Sequence, residues 1–128
     1  MNRRTSLKTL AALGASAVPL AAATNPIQLH LDLEVDPAKE KDMVANFKTI
    51  FQPTIRKQPG FVDVKLMKFR KAMAGAPPAK TTYRLLISFE TEEQRLKWVA
   101  TDDHQKAWPT IEKNLTGAKY VALLYDLS

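Results

Sequence analysis

The sequence has no cysteine among its 128 residues, and this absence excludes several kinds of site. No disulfide bond can form, and zinc sites that depend on thiolate ligands are excluded as well. The chain has only two histidines, His30 and His104, so we expect no metal site. The glycine-rich, GxSxG and HExxH patterns typical of nucleotide-binding sites, serine hydrolases and zinc proteases are also missing.

The sequence also lacks an apolar run long enough to cross a bilayer. The run at residues 10–20 is short and rich in Ala, Gly and Ser, and three alanines follow it at positions 21–23. A basic start with Arg3, Arg4 and Lys8 precedes it. This order is typical of a signal peptide. We therefore predict a signal peptide over residues 1–23, no membrane span after its cleavage, and a single domain over residues 24–128.

The first eight residues resemble a twin-arginine export signal, whose pattern is Ser/Thr-Arg-Arg-x-Phe-Leu-Lys. Four positions match this pattern: Arg3, Arg4, Leu7 and Lys8. Two positions depart from it, because Asn2 replaces the first residue and Ser6 replaces the Phe. The resemblance implies that a bacterial cell exports the folded protein to the periplasm or beyond. An ordinary secretory signal is the alternative.

The basic character of the mature chain is modest. Removal of residues 1–23, which hold three basic residues and no acid, lowers the formal net charge from +6 to +3. The remaining basic residues are spread along the chain, and only Lys68, Arg70 and Lys71 form a tight group. Nucleic-acid binding needs a basic stripe or a known motif. Neither is present, so we expect no nucleic-acid partner.

Four strands are predicted from the pattern of apolar residues. Residues 27–35 alternate apolar and polar side chains, which is typical of a strand with one buried face. Further strands are predicted over residues 61–69, 81–90 and 119–127. The strand at 81–90 carries apolar side chains on both faces, which favours a central position in the sheet.

Helices are predicted in the two long intervals between strands. Asp36 and Pro37 are suited to start a helix that reaches about Phe51, with a kink near Pro53. In the second interval, a capping box at residues 91–94 opens a helix through Val99. A further helix over residues 103–114 is predicted to be interrupted near Pro109 and ended by Gly117.

This order of elements predicts an α+β, ferredoxin-like β-α-β-β-α-β fold, a four-stranded antiparallel sheet with both helical regions on one face. The opposite face has no cover within one chain, although three strands carry apolar residues on both faces. An exposed apolar face usually marks an interface. We therefore predict a homodimer in which two sheets face each other as a dimeric α+β barrel.

The chain resembles the antibiotic biosynthesis monooxygenase family of dimeric α+β barrels. Four places carry the resemblance: Val35-Asp36-Pro37 after the first strand, the turn Gln58-Pro59-Gly60-Phe61, the step Phe89-Glu90-Thr91-Glu92-Glu93, and residues 98–108. The resemblance implies a cofactor-free monooxygenase that oxidises a phenolic or quinol-type aromatic with O₂. The reaction would take place between sheet and helices, where the anion of the substrate itself activates oxygen.

The resemblance also implies which residues form this pocket. Trp98 and Trp108 fall at its aromatic walls, and His104 falls at its candidate base, a role that its near-neutral ordinary pKa suits. Tyr83 and His30 are further candidates for binding the substrate. Each aromatic side chain has an alternative: Trp98 suits the core, Trp108 suits a staple of a broken helix, and His104 suits a solvated first helical turn.

Three residues on the strands have structural alternatives. Tyr83 and Tyr120 are suited to offer phenol groups to a ligand, or to bury their rings and leave the hydroxyl in water. His30 shares the polar side of the first strand with two acids, and burial would require a partner such as Arg84.

Two departures from the family set the alternative functions. Trp108 stands where the haem-degrading branch of the superfamily needs a histidine to bind iron, and Leu31 stands where that branch carries a pocket asparagine. Haem degradation is therefore a runner-up. A protein that holds haem or another flat aromatic without chemistry is a second hypothesis, and a non-catalytic dimeric domain is a third.

Overall fold

The structure is a computed structural model that describes residues 25–77 and 80–127. The predicted signal peptide lies outside these residues. The strands β1 (Ile27–Val35), β2 (Phe61–Lys68), β3 (Tyr83–Phe89) and β4 (Leu115–Asp126) form one antiparallel sheet in the order β2-β3-β1-β4. With helices on one face of this sheet, the prediction of a ferredoxin-like α+β fold is confirmed. β3 is central, as its two apolar faces predict.

The helical region after β1 changes its winding along its length. It passes from a 3₁₀ turn at Pro37–Lys39 to α1 (Glu40–Asn46), then to a π turn at Phe47–Phe51 and to α2 (Gln52–Ile55). In the π turn, Gln52 N–H donates to the carbonyl of Phe47. Because proline crowds the carbonyl four residues before it, the wider turn gives Pro53 room. The predicted kink takes the form of this turn.

The two helices after β3 are α3 (Glu92–Ala100) and α4 (Asp102–Glu112), joined by Thr101. The Thr101 hydroxyl accepts the backbone N–H of His104 at 3.1 Å and donates to the carbonyl of Trp98 at 2.7 Å. One side chain therefore begins α4 and ties it to the end of α3. The prediction that Pro109 interrupts the helix is wrong. Pro109 lies close to the end of α4, where its missing N–H leaves only one carbonyl without an intrahelical partner.

The last strand begins earlier than the sequence predicts. Leu115 already pairs with Val35, and regular pairing resumes where Tyr120 meets Leu33. Between these points Gly117 and Ala118 adopt positive φ angles of 59° and 55°. The prediction that Gly117 ends the helix is therefore wrong: its left-handed conformation forms a bulge inside β4.

The core lies between the sheet and the helices. Apolar side chains of the sheet's covered face pack against apolar side chains of the helices, among them Leu33, Leu85 and Phe89 against Met43, Phe51 and Ile111. The other face of the sheet, here called the open face, has no helix over it. It carries Gln28, His30, Asp32 and Arg84, together with three apolar side chains of β4, Val121, Leu123 and Tyr125, which are between 42% and 51% exposed.

Candidate functional site

A cavity of about 400 Å³ lies between the helices and the β1–β4 side of the sheet. The sheet contributes six apolar or aromatic side chains to its lining: Leu29, Leu31, Ile87, Tyr120, Ala122 and Leu124. The helical side contributes Phe51, Trp98, Val99 and Trp108. A volume of this size lies within the range of small-molecule pockets, roughly 300–1,000 Å³. The mainly apolar lining suits a flat ring system.

Edge-on aromatic contacts hold the walls of the cavity in place. The Phe51 ring meets the indoles of Trp98 and Trp108 at centroid distances of 6.1 and 6.5 Å, at steep interplanar angles. Trp108 also meets Tyr120 of β4 at 5.1 Å. Trp98 is only 3% exposed, so it belongs to the core and lines the cavity at the same time. Such aromatic pairs stabilise a fixed geometry beyond the effect of burial.

His104 reaches the cavity from the first turn of α4. Its ring lies 5.0 Å from that of Trp98, almost perpendicular to it. Its Nδ1 is buried and has no hydrogen-bond partner in the part of the chain that the structure describes. Burial, and then the positive charge of Arg95, lower the pKa of this imidazole below its ordinary value. Both effects favour the neutral ring.

Arg95 is a charged residue of the cavity lining that the sequence analysis does not predict. Its side chain is only 16% exposed, and it makes two charge-assisted bonds to Glu92, from Nε to Oε1 at 2.6 Å and from Nη2 to Oε2 at 2.7 Å. These bonds lower the pKa of the Glu92 carboxyl. A signal was available, because positions 92, 95 and 98 are three residues apart and share one face of a helix. The capping pattern at 91–94 drew attention only to the start of that helix.

Tyr83 lies on the covered face but outside the cavity, near the start of α1. Its hydroxyl donates to Glu40 Oε2 at 2.6 Å, and Lys68 Nζ contacts the same oxygen at 2.7 Å. Burial, and then the hydrogen bond to Glu40, raise the pKa of Tyr83 to about 12. The structure thus gives Tyr83 a partner within the protein.

His30 lies on the open face, on the opposite side of the sheet from the cavity. Its Nε2 shares a hydrogen bond with Gln28 Oε1 at 2.8 Å, and its ring meets that of Tyr125 at 4.7 Å. Arg84, the partner considered for His30, instead donates to Asp32 from Nε and Nη2, at 2.6 and 3.2 Å. The structure therefore brings together Trp98, Trp108 and His104, and separates Tyr83 and His30 from them.

Within residues 25–77 and 80–127, no cluster of three or more His, Asp or Glu side chains offers a metal site. No helix in the same ranges has the length and apolar character needed to cross a membrane.

Comparison with known proteins identifies a family. Residues 26–109 match the family described as antibiotic biosynthesis monooxygenase. The search of curated proteins finds no match.

Three similar solved structures illustrate the fold. A candidate antibiotic biosynthesis monooxygenase from Caulobacter crescentus is 18% identical, with a TM-score of 0.65, and the match covers 82% of this chain and 92% of that one. A dimeric ferredoxin-like protein of unknown function from Jannaschia is 15% identical, with a TM-score of 0.63 and coverage of 80% and 98%. A variant of SnoaB, a cofactor-independent oxygenase from Streptomyces nogalater, is 16% identical, with a TM-score of 0.57 and coverage of 79% and 91%.

At these identities the structural matches establish the shared fold alone. The family match is more specific, because it extends from the start of β1 into α4 and so includes the segment that carries the cavity's helical wall. The chain therefore belongs to the antibiotic biosynthesis monooxygenase family.

Proposed function

We propose that this protein is a cofactor-independent monooxygenase that oxidises a phenolic or quinol-type aromatic with O₂. The observation that carries the proposal is that Trp98, Trp108 and His104 meet around one apolar cavity. Membership of the family supports a monooxygenase-type role. The likeness to a cofactor-independent oxygenase is consistent with it.

The proposed chemistry uses the electron density of the substrate itself. An ionised phenol or quinol is electron-rich enough to react with O₂, provided that the cavity holds the rings flat and keeps water away. The two indoles and the apolar floor serve these tasks. His104 is the candidate catalytic residue, in contact with the reacting hydroxyl of the substrate.

Oxygen uptake with a panel of quinols and anthrones tests this proposal. The His104→Ala variant should lose roughly 100-fold in turnover while keeping its fold, because the reacting hydroxyl would lose the side chain that positions it. Lys106→Ala, an exposed change on the same helix, is the matched control and should keep the wild-type rate. Equal rates in all three proteins would remove His104 from the mechanism. Saturable binding of the aromatics with no oxygen uptake would favour the alternative of a binding protein.

We also propose that the protein is a homodimer whose subunits meet through their open faces. The exposed apolar side chains of β4 on that face support this arrangement. The Jannaschia relative, which shares the fold, is described as dimeric.

We further propose export by the twin-arginine route to the periplasm or beyond. The support is the pattern at residues 3–8, which lies outside the described residues. Cell fractionation of a variant with Arg3→Lys and Arg4→Lys tests the route. A twin-arginine signal should fail and leave the precursor inside the cell, whereas an ordinary secretory signal keeps its basic start and is still exported.

A further inference from the structure

Two basic side chains line the mainly apolar cavity, and they come from adjacent helices. Arg95 reaches it from α3 and His104 from α4. A charged group in a largely apolar pocket fixes the orientation and the charge of a ligand more strongly than the surrounding apolar wall does. Some donors and acceptors of these two side chains have no partner in the described part of the chain. These groups indicate which substrates fit.

Arg95 has donors to spare. Glu92 engages Nε and Nη2 with its two carboxylate oxygens. No acceptor for Nη1 is found among residues 25–77 and 80–127. Guanidinium has five N–H donors in a rigid plane, and it binds carboxylate and other oxyanions with particularly strong hydrogen bonds. Glu92 thus fixes the plane of the guanidinium, and Nη1 remains available to a ligand oxygen.

His104 is poorly suited to hold a second proton. An imidazolium ring carries an N–H on both nitrogens, but Nδ1 of His104 is buried without an acceptor in the described part of the chain. A buried donor without a partner is costly. The neighbouring positive charge of Arg95 adds to this penalty. The neutral ring can still contact the substrate through Nε2.

Resting on the function proposed above, we propose that Arg95 is the specificity-determining residue of the cavity and selects aromatic substrates that carry an acidic hydroxyl or a carboxylate. The substrate loses its proton to bulk water before it is enclosed, and it is held as its anion with the oxygen on Arg95. His104 stays neutral and positions the ring, so in this proposal it does not act as the base that the resemblance implies. The substrate class is thus an acidic aromatic, rather than any flat apolar molecule of suitable size.

Binding of two matched ligands that O₂ does not oxidise tests this inference separately from turnover. Naphthoate carries a carboxylate, and naphthamide is its uncharged counterpart of nearly the same shape. Calorimetry at neutral pH should give a dissociation constant roughly tenfold lower for naphthoate, because a charge-assisted bond is added. Naphthamide that binds as well as naphthoate, or failure of both to bind, would overturn the inference.

Charge variants of α3 identify the residue responsible. Arg95→Gln should abolish the preference for naphthoate, and Arg95→Lys should restore part of it. Lys97→Gln removes the same charge from an exposed position of the same helix and should leave the preference intact. Since Glu92 alone would repel an anion, the double variant Glu92→Gln with Arg95→Gln is also needed. A preference that persists in the double variant would assign anion selection to another group.

The protonation state of His104 gives a second readout. Nitrogen NMR of the two imidazoles should show His104 neutral at pH 7, both free and with naphthoate bound. Conversion to imidazolium on binding would contradict the assignment. Oxygen uptake without an anion preference would refute this inference but not the proposed oxidation. An anion preference without oxygen uptake would support this inference and refute the proposed oxidation.

Discussion

The protonation of His104 depends on its surroundings in the folded protein. Burial and the charge of Arg95 both favour the neutral ring, so the folded state binds a proton less readily than the unfolded chain does. The resulting stabilisation is present above the unfolded pKa, about 6.5, and is lost as the pH falls through the lower folded pKa. Acidification should therefore weaken the fold around the cavity.

A comparison of wild-type protein with His104→Gln tests this pH dependence. Glutamine keeps a polar side chain but cannot titrate. The wild-type melting temperature should fall as the pH is lowered from about 7 to about 5, and the variant should fall less steeply. His30 also has a pKa lowered by burial and still titrates in the variant, so a residual slope is expected. Parallel curves for the two proteins would contradict the assigned shift.

At the residue scale, the sequence predicted proximity best for the candidate site residues that lie close together in the chain. Trp98, Trp108 and His104 are close in the chain, on one pair of helices, and the structure brings them to one cavity. His30 and Tyr83 lie on strands, where alternation gives the face but not the neighbours that the side chain meets. Arg95 is not predicted because the spacing of Glu92, Arg95 and Trp98 places them on one helical face but does not show that this face meets a cavity under the sheet.

At the scale of the elements, one residue links the two helices of the site. Thr101 accepts a bond from the first turn of α4 and donates one to the end of α3. The two bonds are made with the backbone carbonyl of Trp98 and the backbone N–H of His104. The angle between the two helices, and hence the opening of the cavity, therefore depends on this hydroxyl.

Replacement of Thr101 tests this link between the two helices. Thr101→Val keeps the shape of the side chain but removes the cap, and should lower the free energy of unfolding by about 1 kcal/mol. Thr101→Ser keeps the hydroxyl and should stay close to wild type. Urea unfolding measures the difference, and affinity for naphthoate reports on the cavity. Equal stability of the valine and serine variants would show that the cap contributes nothing.

The helices and strands agree with the sequence prediction where the apolar periodicity is clear. They differ from it at proline and glycine residues. Strand alternation located β1 at its observed bounds. Pro109 does not break α4, because its missing N–H removes a single helical bond close to the end of the helix. Gly117 does not end the helix, a common use of positive φ; it lies inside β4 between the pairs Val35–Leu115 and Leu33–Tyr120, where the register shifts and the strand bulges.

At the scale of the whole molecule, the proposed dimer depends on the open face. Its ion pair between Arg84 and Asp32 is held within one sheet, and the neighbouring β4 side chains Val121, Leu123 and Tyr125 remain exposed. In the proposed dimer, a second copy would bury both the ion pair and these apolar side chains. The order of elements predicted an uncovered sheet face, because right-handed connections place both helical regions on the same side.

A charge placed on this face tests the assembly. Wild-type protein should show the mass of a dimer by light scattering, and Leu123→Glu should dissociate it because a carboxylate would be buried without a partner. Leu96→Glu is the matched control, since Leu96 is 54% exposed on α3 and lies on the helical side. A wild-type monomer, or a dimer insensitive to Leu123→Glu, would contradict the open-face interface.

The cavity between the helices and β4 is proposed to bind and oxidise an acidic aromatic. A crystal structure of the protein soaked with a quinol in the absence of oxygen tests it most directly. We expect the rings to lie in the cavity against Trp98 and Trp108, with an oxygen toward Arg95 and His104. A quinol bound on the open face, or a cavity that stays empty at saturating quinol, would contradict the account.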